Sequence, residues 1–217
     1  MNDPVSLLTC AALVMSLICI LIFGYANYKD YYHKKINFLQ TFPYEMGDQP
    51  KMKITNFLRL VIALFVVSAT MLQVHLLGSI SLFSHISLMI VGSLASMSIA
   101  TLFLIPMRNI KLHIGFFSIS YTFTILSFIH FAYFLKTTPF FIPGAEIYFW
   151  ISLLFIALQI GLLFSSHLKK WYVLERVEEE NEVKYVRPKV LYIALLEWLN
   201  LIFYLVYLLL LILSRTF

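Results

Sequence analysis

Six stretches of the chain are long and apolar enough to cross a bilayer, and they leave few residues for anything else: Pro4–Gly24, Ile54–Gly78, Ile80–Pro106, Ile114–Leu135, Glu146–Leu168 and Val190–Leu213. About 20 apolar residues in a helix span roughly 30 Å of hydrocarbon. Inside that layer backbone polar groups must be satisfied without water, and an α-helix does so within its own segment. The expected fold is therefore all-α: a polytopic membrane protein, a single domain over residues 1–217 built as a six-helix transmembrane bundle. With 61% hydrophobic and 12% charged residues, the composition agrees with a bilayer rather than a soluble domain.

The first stretch is read as a helix and not as a secretion signal, because Asn2 and Asp3 precede it and "GYANYKDYYHKK" follows it. Cys10 and Cys19 lie nine residues apart on that helix, on opposite faces and about 13 Å apart along the axis, too far to bridge.

Orientation follows from lysine and arginine. The first, third and fifth connections carry Lys29, Lys34, Lys35, Lys51 and Lys53, then Arg108 and Lys111, then Lys169, Lys170, Arg176, Lys184, Arg187 and Lys189. The opposite side has Lys136 and Arg215. The positive-inside tendency makes the basic side cytoplasmic and puts both termini on the non-cytoplasmic side. The net charge of +5 is then an orientation signal and a contact for anionic lipid heads, not a nucleic-acid footprint. Membrane lipids are the expected partners, and transmembrane helices can also take a protein partner.

Two connections are long. "NYKDYYHKKINFLQTFPYEMGDQPKMK" mixes tyrosines, lysines and apolar residues and reads as a membrane-hugging linker ending at Pro43 and Gly47. In "KKWYVLERVEEENEVKYVRPK", apolar and polar residues alternate on both sides of "EEEN", as in a small hairpin.

Polar residues inside the spans carry the functional information. Glu197, Asn200, Tyr204 and Tyr207 are spaced three, four and three, which stacks them on one face of the last helix. Ser152, Gln159 and Ser166 form a second line on the fifth, and Gly92, Ser96 and Ala100 a small-residue face on the third. Glu197 lies roughly 10 Å into the core and Arg59 roughly 7 Å, both from the basic side. An isolated charge at such depth costs about 2.5 to 3.5 kcal/mol on insertion scales. Either Arg59 pairs with Glu197, or Arg59 snorkels to the headgroups and Glu197 is protonated.

His75, His85 and His130 fall toward the outer ends of the second, third and fourth helices, where three imidazoles could hold a metal or haem. No HxxxH, ExxH or CxxC spacing supports them, so no cofactor is the expectation, with haem the alternative. The chain has no GxSxG, phosphate-binding loop or HExxH, and the serines at 79, 81, 84 and 87 have no neighbouring base at a catalytic spacing.

Three stretches in order, "TFPYEMGDQP", "KLHIGFF" and "EWLNLIFYLVYL", resemble the DRAM-like membrane proteins, a superfamily that includes the GPI-anchor lipid-remodelling protein of the Golgi. The matching positions are Pro43, Tyr44, Gly47 and Pro50, then His113 and Gly115, then Glu197 and Trp198. The resemblance implies a role in lipid handling or autophagy-linked membranes, without an established catalytic centre. Glu45 and Met46 stand where that family has Ser-Asp-Thr before the glycine, and the family carries its first loop on the lumenal side, opposite to the lysine count. The function expected is thus lipid handling or membrane organisation around Glu197 and the Tyr44 loop; the alternatives are a small proton- or ion-coupled transporter and a haem protein. No Gly- or Pro-broken pair of helices marks a carrier, since Pro106 and Pro143 sit at helix ends.

Overall fold

The computed structural model describes residues 4–47, 53–77, 83–105, 110–137, 144–165, 175–179 and 182–216. Among the described residues six α-helices carry the fold: α1 (Pro4–Tyr32), α2 (Lys53–Leu77), α3 (Phe83–Leu102), α4 (Ile110–Thr137), α5 (Ala145–Leu163) and α6 (Tyr192–Thr216). Five of them, all but α3, are long and apolar enough to cross a membrane; the apolar stretch searched in α3 is Ile86–Leu102. The expected all-helical membrane bundle is therefore what the chain forms. Large apolar side chains such as Leu8, Leu60 and Trp150 point outward, the arrangement a hydrocarbon solvent allows.

Helix α6 is the hub. The share of its apolar window buried inside the protein, 61%, is the highest of the five spans, whereas α5, at 11%, lies along the outside. Gln73 of α2 bonds Tyr204 and Tyr207, Phe155 of α5 stacks edge-on to Phe203, and Phe128 and Phe131 of α4 both meet Tyr207. Pairing order along the helices sets their directions. Thr70 meets Ser96 and Gln73 crowds Gly92, so α2 and α3 run antiparallel. His113 meets Glu197, Ser120 meets Asn200 and Phe128 meets Tyr207, so α4 and α6 run parallel.

Several boundaries differ from the hydropathy reading. Helix α1 continues past Gly24 to Tyr32, because Asn27 and Tyr28 are buried and Asn27 Nδ2 donates to the Met46 carbonyl at 2.7 Å. Helix α4 starts four residues earlier than the apolar run, at Ile110, which places His113 in its first turn. The hairpin between the last helices is present: β1 (Glu175–Glu179) pairs antiparallel with β2 (Glu182–Val186), Glu179 opposite Glu182.

The first connection corrects the expectation of a membrane-hugging linker. Phe42, Tyr44, Glu45 and Met46 are all buried, and residues Pro43–Met46 form one 3-10 turn folded into the end of the bundle. Pro43 suits the start of that turn, and Glu45 caps it by accepting the Phe42 N–H at 3.0 Å while its own N–H bonds the Phe42 carbonyl. A linker with six buried residues in a row, Thr41 to Met46, one of them charged, is part of the core.

Candidate functional site

At the end of the bundle where α1 leaves and α4 and α6 begin, the buried 3-10 turn, the turn just after α3 and the second turn of α6 converge on His113 in the first turn of α4. Its imidazole bonds the Ile105 carbonyl through Nδ1 and Glu197 Oε1 through Nε2, both at 2.6 Å, and both side chains are wholly buried. Phe42 and Tyr44 lie edge-on to the imidazole, with centroids 5.9 and 5.4 Å away. The other carboxylate oxygen, Glu197 Oε2, has no protein partner among the described residues, and neither has Asn200 Oδ1. Those two acceptors stand on one face of α6, three residues and thus one turn apart. Asn200 spends its amide N–H on Ser120 Oγ at 2.8 Å.

The turn is fastened over this centre from three directions. Trp198, next to Glu197 in sequence, donates its indole N–H to the Thr41 carbonyl at 2.7 Å. Asn27 holds the Met46 carbonyl from α1. On the water side Arg187 grips Glu45 with two contacts, 2.5 and 3.1 Å, and also reaches the Gln40 carbonyl at 3.2 Å. Gln40 Nε2 returns to the Pro188 carbonyl and the Leu191 N–H to the Leu39 carbonyl, so the first and fifth connections are stitched together. Donating to the Glu45 carboxylate holds the Arg187 proton more firmly than usual, outweighing the partial burial of the guanidinium.

No family model matches the sequence, and no curated protein or solved structure matches it either. What the chain does must be read from its own residues.

Of the residues singled out in the sequence, Glu197, Asn200, Tyr204 and Tyr207 share the interior face of α6, all wholly buried. Tyr44 and His113 join Glu197. Gln159 is also buried, but its backbone carbonyl meets Tyr121 and its amide donates to its own helix at Phe155, so it lies on a separate α4–α5 contact. Ser166, the third member of its line, is outside the described residues. Arg59 does not pair with Glu197: it is exposed on α2, and the partner at Glu197 is His113. Long flexible arginine side chains reach the interface at little cost, whereas the imidazole is rigid and already on a packed face.

No gathering of the outer histidines is seen among the described side chains. His75 is exposed, His130 Nδ1 bonds the Leu126 carbonyl of its own helix, and the His85 side chain is outside the described residues. Among the described residues no three His, Cys, Asp or Glu side chains are placed to hold a metal.

Sequence reasoning missed the Glu45–Arg187 pair and Gln73. Glu45 carried a signal, a carboxylate three residues after Phe42 in an apolar loop, as in a capping box. Arg187 had none, because 142 residues separate it from its partner.

Proposed function

We propose that this chain is a lipid-handling integral membrane protein whose working site is the His113–Glu197 centre beneath the buried turn, and whose ligand is a lipid with a hydroxyl-bearing head. The supporting observation is that two buried acceptors one turn apart on α6, Glu197 Oε2 and Asn200 Oδ1, have no protein donor among the described residues. Buried acceptors cost roughly 1 to 3 kcal/mol each when unsatisfied. A polyol or alcohol donor reaching from the adjacent headgroup layer would satisfy both at once, and Phe42 and Tyr44 would flank it.

In this reading the chain crosses six times. The antiparallel run of α2 and α3 supports a third crossing despite its shorter apolar stretch. The site faces the cytoplasmic leaflet, because the stitched first and fifth connections gather Lys34, Lys35, Arg187 and Lys189 at the site's end. Both termini then lie on the other face. The DRAM-like resemblance points to the same role, and its matched His113, Glu197, Tyr44 and Trp198 are the residues that meet here.

The test is retention of defined lipids by the purified full chain in nanodiscs, read by native mass spectrometry. Phosphatidylinositol and phosphatidylglycerol should be retained over phosphatidylcholine, whose head lacks a hydroxyl donor, and Asn200→Ala should remove the preference. Equal retention of all three lipids, or an unchanged preference in Asn200→Ala, would sink the proposal.

A second reading, a proton-coupled carrier, is favoured by one specific observation: a wholly buried carboxylate touches a wholly buried imidazole. It predicts pH-driven solute uptake by proteoliposomes that Glu197→Gln abolishes.

A further inference from the structure

The donor and acceptor count at His113 carries more than its location does. The Ile105 carbonyl can only accept, so Nδ1 must bear a hydrogen to make the 2.6 Å contact. The Nε2···Oε1 contact at 2.6 Å then needs a second hydrogen between its two atoms. That hydrogen sits on Nε2, giving imidazolium and carboxylate, or on Oε1, giving neutral imidazole and carboxylic acid. Both arrangements contain the same number of protons and the same zero net charge.

Removing that one proton to solvent leaves a neutral imidazole with a single hydrogen beside an ionised Glu197. If the hydrogen stays on Nδ1, the lone pair of Nε2 opposes Oε1. If it shifts to Nε2, the lone pair of Nδ1 opposes the Ile105 oxygen. The deprotonated pair cannot keep both contacts, and its second oxygen, Oε2, has no protein donor among the described residues to compensate. Hydrogen-bond satisfaction inside a dry site is what makes such a conflict costly.

The geometry points to His113 and Glu197 as a one-proton latch: with the shared proton bound, the end of α3, α4 and α6 are tied together under the turn; when it leaves, one tie opens. The ties are specific. Ile105 closes the last hydrogen-bonded turn after α3, through its N–H to the Thr101 carbonyl. Glu197 precedes Trp198, which holds Thr41 of the cap. Losing the Ile105 contact loosens the turn at Thr101–Ile105 that follows α3, and moving Glu197 strains the anchor of the cap. Either way access to the buried acceptors is coupled to one protonation event.

Other titratable groups around the pair are few among the described residues. The cap contributes Tyr44, whose ring meets the imidazole, and Glu45, whose charge acts on Glu197 through space. Arg187 neutralises Glu45 from the fifth connection. The end of α3 presents only a carbonyl, and Asn200 and Ser120, the next layer along α6 and α4, do not titrate. The latch therefore belongs to one proton shared by two residues.

This inference rests on the proposed site but not on its ligand. It is tested by hydrogen–deuterium exchange of the full-length protein in nanodiscs, from mildly acidic to alkaline pH, corrected for the intrinsic rate at each pH. Amides of residues 38–47 or 100–105 should rise in corrected exchange by about tenfold or more in the wild type, the factor that loss of one buried hydrogen bond implies. Glu197→Gln is the decisive variant. Its side-chain amide donates to Nε2 while Nδ1–H stays on Ile105, so both ties persist with no removable proton. It should fold and show flat corrected exchange. A flat wild-type profile, a Glu197→Gln profile that rises like the wild type, or failure of Glu197→Gln to fold would each overturn the latch. Lipid retention measured at the acidic end separates the two ideas: if no hydroxyl-bearing lipid is preferred while the exchange switch is present, the ligand reading fails and the latch stands.

Discussion

Gly92 shows how closely single atoms are held in this bundle. A Cβ there would lie 1.7 Å from Gln73 Oε1 and 2.7 Å from the Tyr207 hydroxyl. Gln73 in turn donates to the Tyr204 hydroxyl and to the Ala69 carbonyl and accepts from Tyr207, which ties α2 to α6 across the face of α3. Gly92→Ala should push Gln73 out of that network and lower stability by about 2 to 4 kcal/mol, combining overpacking with lost buried hydrogen bonds. Thermal unfolding in detergent reads the change, and a melting temperature equal to the wild type would show that the helices can separate without cost. The neighbouring small residues Ser96 and Ala100 announced this face in the sequence, because period-four small residues let backbones approach. What they approach was not legible, since Gln73 stands between apolar neighbours in α2 and nothing local says which way it points.

At the scale of elements, the short turn at Pro43–Met46 matters more than its length suggests. It has one anchor on each of α1, α6 and the fifth connection: Asn27, Trp198 and Arg187. The Glu45–Arg187 pair joins a fully buried carboxylate to a guanidinium that still reaches water, with Arg187 38% exposed. The carboxylate is therefore the member with most to lose. Glu45→Ala, Arg187→Ala and the double variant should show a coupling of about 0.5 to 3 kcal/mol in a thermodynamic cycle. The exchange of amides 38–47 should rise in both single variants while α5 is unaffected. Additive losses would mean that the indole and Asn27 anchors hold the turn alone. The element itself was half visible in advance. Pro43 and Gly47 marked a turn, but the mixture of tyrosine, lysine and apolar residues around it is equally suited to lying on a membrane. Burial decided between these, and burial depends on the groove that α1, α4 and α6 leave.

For the whole molecule, the parallel run of α4 and α6 and the antiparallel run of α2 and α3 set which connections share an end. The first and fifth connections meet through Gln40, Arg187 and Leu39, so the basic residues near them lie on one face. The positive-inside tendency then predicts that a cysteine introduced at Lys34 is protected from an impermeant thiol reagent in intact cells and labelled once the plasma membrane alone is permeabilised, with Cys10 and Cys19 first replaced by serine. Labelling in intact cells, or protection until all membranes are permeabilised, would reverse the orientation and move the site to the opposite leaflet, as the DRAM-like proteins carry their first loop. The site's chemistry would be unchanged, since it depends on contacts inside the bundle.

Helix number, the all-α class, the interior face of α6 and the hairpin before it follow from the chain alone, because hydrophobic length and three-to-four-residue periodicity are local properties that a bilayer or a packed bundle enforces. Glu197 likewise declared itself by depth, since a carboxylate in an apolar run must have a reason to remain. Its partner did not. Arg59 and His113 both enter from the same end, and charge and depth favoured the arginine. Only the packing of α4 parallel to α6, with α4 starting early at Ile110, brings a rigid imidazole to 2.6 Å and leaves the longer arginine outside. Which pairs form across 84 residues is set by how helices pack, and that is a property of the folded bundle rather than of any window of sequence.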